Sequence, residues 1–180
     1  MARICVFCAS STQLEPRWLE LGRVVGLALA DAGHEVVSGG GRVGMMGTVA
    51  EGARSGGART VGVIPQSLVD LEVADSGADE LVVTDGMAAR KIVMIERSDV
   101  FVVLPGGLGT LDELFEVWTT ATLGLHDKPV ILLDAEGFFS GLLAWLRGLE
   151  SAGFVTTKGM AKVHVATTVD EVLDAVRRFG

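Results

Sequence analysis

Asp99-Val100-Phe101-Val102-Val103-Leu104-Pro105-Gly106-Gly107-Leu108-Gly109-Thr110-Leu111-Asp112-Glu113 is the stretch on which the fold turns. Its first six residues are nearly all apolar, the pattern of a central parallel strand covered on both faces. Pro105 has no N–H to donate and ends the ladder. Gly106, Gly107 and Gly109 let the backbone turn sharply and aim several N–H groups at one point. A helix follows, predicted to begin at Thr110, and its unpaired N–H groups and dipole add positive potential. Strand, glycine loop and helix N-terminus in that order form an anion site, most often for phosphate. An ordinary strand-to-helix turn would need only one glycine.

Outward from this stretch, apolar strand-like runs alternate with helical patterns. Strands are expected over 3–8, 35–38, 60–64, 80–84, 99–104, 129–133 and 162–165, and helices over 17–32, 45–55, 87–97, 110–123, 138–151 and 169–179. Gly33 and the pair Gly56-Gly57 fall where helix C-terminal caps belong. The alternation specifies an α/β fold, a Rossmann-like doubly wound parallel sheet flanked by helices, with residues 1–180 as a single nucleotide-binding domain. Such sheets bind ligands beyond the carboxyl ends of their strands, where strand order reverses. The segment 65–79 is the one long irregular connection and a candidate flap over the site.

The chain has 180 residues, 49% of them apolar, with 24 glycines, four prolines and a net charge of -8. That charge argues against nucleic acid or an anionic membrane as a partner, so a bound phosphate must be held by local geometry and a few cations. No run approaches the ~20 apolar residues of a membrane span. Met1-Ala2-Arg3-Ile4-Cys5-Val6-Phe7 enters a strand directly, leaving no room for a signal peptide, and the expected location is cytoplasmic. Cys5 and Cys8 form a C-x-x-C at an apolar strand end, and His34, His126 and His164 are scattered without ligand spacing. Buried strand cysteines are the expectation, with no metal and no cofactor.

A second glycine cluster, Ser38-Gly39-Gly40-Gly41-Arg42-Val43-Gly44-Met45-Met46-Gly47, follows the second strand and satisfies G-x-G-x-x-G at Gly39, Gly41 and Gly44. A dinucleotide site also needs a carboxylate at the end of the next strand, which here runs into Pro65-Gln66. NAD and FAD are therefore rejected. Gly40 and Gly41 read either as a wall that a sugar or base approaches closely or as glycines permitting tight helix–sheet packing. No Walker G-x-x-x-x-G-K-[ST] occurs. Met87-Ala88-Ala89-Arg90-Lys91 opens a helix with two cations facing the positive end of its dipole, a disadvantage of about 0.3–1 kcal/mol each unless an anion is near. Lys91 reads first as solvated charge, while Arg90, at the carboxyl edge of the sheet, reads as functional. Thr110-x-x-Glu113 forms a capping box, as does Thr168-x-x-Glu171. Leu111, Leu114, Phe115 and Trp118 make a buried stripe, leaving Glu113 and Glu116 together on the opposite face. A carboxylate one turn beyond a phosphate loop is placed to meet the ribose of a 5'-nucleotide, to stabilise an oxocarbenium-like sugar or to orient water at C1′.

These residues resemble the LONELY GUY family, the cytokinin riboside 5'-monophosphate phosphoribohydrolases once mislabelled lysine decarboxylases. Pro105 to Glu113 meets the P-G-G-x-G-T-x-x-E signature in full. The likeness extends to Ser38-Gly39-Gly40-Gly41 with Gly44-Met45-Met46-Gly47, and to Leu123-Gly124-Leu125-His126-Asp127-Lys128-Pro129-Val130. The resemblance implies hydrolysis of the N-glycosidic bond of an N6-modified adenosine 5'-monophosphate to free base and ribose 5-phosphate. It implies Arg90 and Glu113 as the catalytic pair, Gly106, Gly107, Gly109 and Thr110 as the phosphate cradle, and Glu116 as the acidic side of the pocket. Gly40, Gly41, Met87 and Lys91 join the substrate-binding candidates, Met45, Met46 and Trp118 are candidate apolar lining or core, and a homodimer is implied. Ala88 stands where the family commonly has His, and Thr122 where it has Gln, changes that touch base or sugar recognition. The alternative is a non-catalytic nucleotide or molybdopterin-type carrier on the same fold. A pyridoxal-dependent decarboxylase ranks last, because none of Lys91, Lys128, Lys158 and Lys162 stands in a pyridoxal motif.

Overall fold

The computed structural model describes residues 1–71 and 73–179. Seven strands lie within one residue of the expected bounds: β1 (Arg3–Phe7), β2 (Glu35–Ser38), β3 (Thr60–Pro65), β4 (Glu80–Thr84), β5 (Val100–Val103), β6 (Val130–Leu133) and β7 (Val163–Ala166). All pair in parallel, in the order β4-β3-β2-β1-β5-β6-β7. The chain builds outward from β1 to β4, crosses back to β5 beside β1, and continues to β7. Strand order therefore reverses between β1 and β5, where a doubly wound sheet opens its ligand crevice.

Successive side chains on a strand point to opposite faces, and both faces here are apolar. Ile4 and Val6 of β1 and Val100 and Val102 of β5 pack with Val25 and Leu29 of α1 (Pro16–Asp31), Val49 of α2 (Gly44–Ser55) and Val172 of α8 (Val169–Phe179). Cys5, Phe7, Phe101 and Val103 face the other way. They meet Met94 of α4 (Met87–Glu96), Leu114 and Trp118 of α5 (Leu108–Thr122) and Leu143 of α6 (Ser140–Ser151). Cys5, in the middle of β1, and Cys8, directly after it, are buried free thiols.

α1 and α2 touch through glycine. A Cβ on Gly26 would overlap the Val49 carbonyl oxygen and stand 2.8 Å from Ala53 N. Backbone cannot yield as a side-chain tip can, so Gly26→Ala is expected to cost ~1–3 kcal/mol through overpacking. A fall in the urea midpoint at unchanged slope measures this.

Three expectations need correction. α5 begins at Leu108 with Gly107 at its N-cap, not at Thr110, so Thr110 and Glu113 form no capping box. By contrast, Thr168 does cap α8: its Oγ1 accepts from Glu171 N, while Glu171 Oε2 accepts from Thr167 N and Oγ1. Segment 65–79 is less irregular than expected, because Pro65 completes β3 and Gln66–Val69 forms the short helix α3. Arg42 N donates to Val73 O and Asp75 N to Gly40 O, each at 2.8 Å, which ties the segment to the loop after β2. Glu72 lies outside the described residues.

Candidate active site

Phe7 pairs with Val103, so the chain leaves β1 and β5 side by side at the crevice. Leu104 N donates to Phe7 O and Ala9 N to Pro105 O, which hold the two loops together. Between them and the N-termini of α4 and α5 lies a cavity of about 310 Å³. Among the sequence candidates, Met87, Arg90, Lys91, Gly107, Gly109, Thr110 and Glu113 line it. Helix geometry leaves the N–H groups of Leu108, Gly109 and Thr110 without intrahelical acceptors at its wall.

Four candidates stand elsewhere. A Cβ on Gly106 would overlap Thr110 Oγ1, so Gly106 makes room for that threonine. Gly40, at φ 71°, packs on β3, where an added Cβ would come 3.1 Å from Val63 N and Ile64 Cβ. Gly41 bridges to Ala74, and its N–H points at Met46 Sδ. Glu116 pairs with Lys91 at 2.8 Å. Lys91, read from sequence as solvated, is a tie between helices: its Nζ also bonds Asp112 Oδ2 at 3.0 Å, and the Glu116 and Asp112 carboxylates hold it more firmly protonated. Trp118 is core, its Nε1 donating to Gly159 O in the short helix α7 (Thr157–Met160), and Met45 is fully buried, whereas Met46 faces the cavity.

Arg90 is 6% exposed. Its Nε donates to Val63 O at 3.0 Å and its Nη2 to Gly39 O at 2.9 Å. Nη1 donates to Met87 Sδ at 3.8 Å and faces Glu113, 3.9 Å from Oε1. Glu113 does not point outward beside Glu116, as the helical stripe suggested: its side chain is 12% exposed, against 33% for Glu116. Burial pushes the Glu113 carboxyl up to about 7; Arg90 opposes this and Asp112 adds to it. A carboxyl poised near neutral pH in a cleft, with a specific charged partner, is the usual signature of acid–base or electrostatic catalysis. Cys8 also lines the cavity, but burial and the Glu113 charge hold its thiol protonated, which suits it to packing rather than attack. A second cavity of about 280 Å³, lined by residues such as Phe115, Leu123 and Phe154, contains no ionisable side chain.

Ser10 and Ser11 were missed. Two hydroxyls directly after the first central strand, in a fold that binds at the carboxyl ends of its strands, were the available signal.

A family model described as "Possible lysine decarboxylase" matches residues 46–176. A cytokinin riboside 5'-monophosphate phosphoribohydrolase of Mycobacterium tuberculosis is 52% identical over 174 residues, covering 97% of this chain and 91% of that protein. The chain belongs to the LONELY GUY family. An Arabidopsis thaliana member with the same enzyme name is 37% identical over 178 residues, covering 99% of this chain and 83% of its own length. Among solved structures, the molybdenum cofactor carrier protein of Chlamydomonas reinhardtii superposes with a TM-score of 0.77, covering 99% of this chain and 97% of that one. At 24% identity that likeness shows the fold the LONELY GUY family shares with it, and no more.

Proposed function

We propose that this protein is a cytokinin riboside 5'-monophosphate phosphoribohydrolase, cleaving the N-glycosidic bond of N6-modified adenosine 5'-monophosphates. The observation that carries the reading is one cavity holding the N-terminus of α5 for phosphate and, little more than a turn along the same helix, a buried carboxyl near neutrality beside an arginine edge. The phosphate takes the first N–H groups of α5, with Thr110 and the Ser10 and Ser11 hydroxyls beside it. Arg90 Nη1 positions the nucleotide and offsets charge near the leaving base. Glu113, as carboxylate, stabilises the developing positive sugar and orients the water that adds at C1′. The C1′–N9 bond breaks, the water's oxygen bonds C1′, the proton that the water loses ends on the leaving base, and ribose 5-phosphate remains.

The enzyme works in the cytoplasm as a homodimer in this reading. Exposed Met87 and Ile92 on α4 and Leu108 at the start of α5 offer apolar surface near the cavity for a second copy. Among the described residues no helix is long and apolar enough to cross a membrane.

Free-base release from AMP and from N6-isopentenyl-AMP tests the function. Release by the wild type supports it, and the ratio of rates reads the base preference. No release together with tight monophosphate binding would replace it with a carrier. Thr110→Ala is expected to raise KM for the monophosphate by about tenfold, the worth of one good hydrogen bond to a charged group. The unphosphorylated riboside should be unaffected; equal losses for both would remove Thr110 from the phosphate site.

A further inference from the structure

Gly39 is not required by backbone conformation. Its neighbour Gly40 sits at φ 71° and Gly44 at φ 61°, in the region that side chains resist, but Gly39 is not among the positive-φ residues. Its φ does not call for glycine. What excludes a side chain is Arg90: a Cβ on Gly39 would overlap Nη2 and stand 2.9 Å from Cζ, with Met46 Sδ next at 3.1 Å. The same glycine's carbonyl accepts from that Nη2.

We propose that Gly39 is a positioning residue for the reaction, seating the Arg90 guanidinium so that Nη1 faces the cavity and Glu113. The guanidinium is planar with donors in a fixed fork, so satisfying Nε on Val63 O and Nη2 on Gly39 O fixes where Nη1 points. Both acceptors are main-chain oxygens at the carboxyl ends of β2 and β3, so the sheet itself aims the arginine. Filling the Gly39 space would push the guanidinium off its seat. The group displaced is the movable end of a long side chain, so the fold can absorb the change while the site cannot. The consequence for turnover rests on the phosphoribohydrolase reading; the juxtaposition of Gly39 and Arg90 does not.

The test is a cycle of Gly39→Ala, Arg90→Ala and the double variant, read by base release and by AMP affinity in calorimetry. Gly39→Ala is expected to lose about 100-fold in kcat/KM, mostly in kcat, the usual result of misplacing a catalytic group by about 1 Å. In the Arg90→Ala background the same substitution should change kcat/KM by less than about twofold, because residues acting through one contact are not additive. Equal losses in both backgrounds, or wild-type turnover in Gly39→Ala, would overturn the proposal. Should Gly39→Ala fail to fold, stability is read in the Arg90→Ala background, where the overlap is gone: the double variant must be no less stable than Arg90→Ala alone, and a double variant that is less stable also overturns it. A wild-type protein that releases no base would fail the hydrolase reading alone, and the cycle is then read on AMP affinity with the same pattern required.

Discussion

Glu113→Gln is expected to lower base release by about 10³-fold, within the range for removing a positioned acid–base group. The amide fills the same space 3.9 Å from Arg90 but can neither carry the negative charge that the sugar needs nor take a proton. In the wild type, kcat/KM should rise with pH through about 7, because only the ionised carboxyl serves and burial holds it protonated below that. A pH–rate profile of free enzyme checks this. A rate that falls through the same range would make Glu113 a proton donor, and wild-type rates in the variant would remove it from the chemistry.

The buried Glu113 proton also has a stability consequence of fixed sign. Raising the carboxyl from its ordinary 4.5 to about 7 means that the folded protein holds this proton more tightly than the unfolded chain. Its contribution is complete below pH 4.5 and disappears as pH rises through about 7. The loss is on the order of 3 kcal/mol, because each tenfold difference in proton affinity is worth about 1.4 kcal/mol. Glu113→Gln removes that slope, so the inactive variant should be the more stable protein at pH 8 and differ less at pH 4. Thermal unfolding at the two pH values reads it. Such an exchange of stability for function is common where a charge is kept buried for chemistry.

Arg90→Ala is expected to lose about 10²-fold or more in kcat/KM, because the proposed mechanism uses it to position the nucleotide. Unlike Glu113→Gln, it should also destabilise the fold at every pH. The Val63 and Gly39 carbonyls lose a buried donor, at about 1–3 kcal/mol for each group left unsatisfied. Arg90 opposes the upward push of burial on Glu113, so the acid limb of any residual activity should move to higher pH than in the wild type. An unmoved limb would mean that the 3.9 Å pair is not coupled in solution. Arg90→Lys keeps the charge but not the fork, and so should restore the limb better than the rate.

Much of this site was legible as sequence because its parts are local. Pro105 to Glu113 names a strand end, a turn and a helix start within nine residues, and each step follows from what Pro, Gly and an apolar run permit. The helix start itself was misread by two residues. Thr110 and Glu113 carry capping chemistry, yet Gly107 took the N-cap and released Glu113 from that role. Lys91 was misread for a related reason: its exposure depends on α5 lying beside α4, which no property of its own helix announces.

The sequence by itself determined the alternation of strands and helices, the glycine loop ahead of a helix and the family, because these rest on backbone propensity, side-chain period and a contiguous motif. Only the tertiary structure decided that Ser10 and Ser11 share the cavity and that Gly40 packs on β3 instead of facing it. It also decided that Gly39 and Arg90, 51 positions apart, fit together. Those outcomes depend on which strands become neighbours, and the reversal of order between β1 and β5 brings distant loops to one crevice. The carboxyl near pH 7 belongs to the same class, because its cause is burial, and burial exists only once the helices have packed.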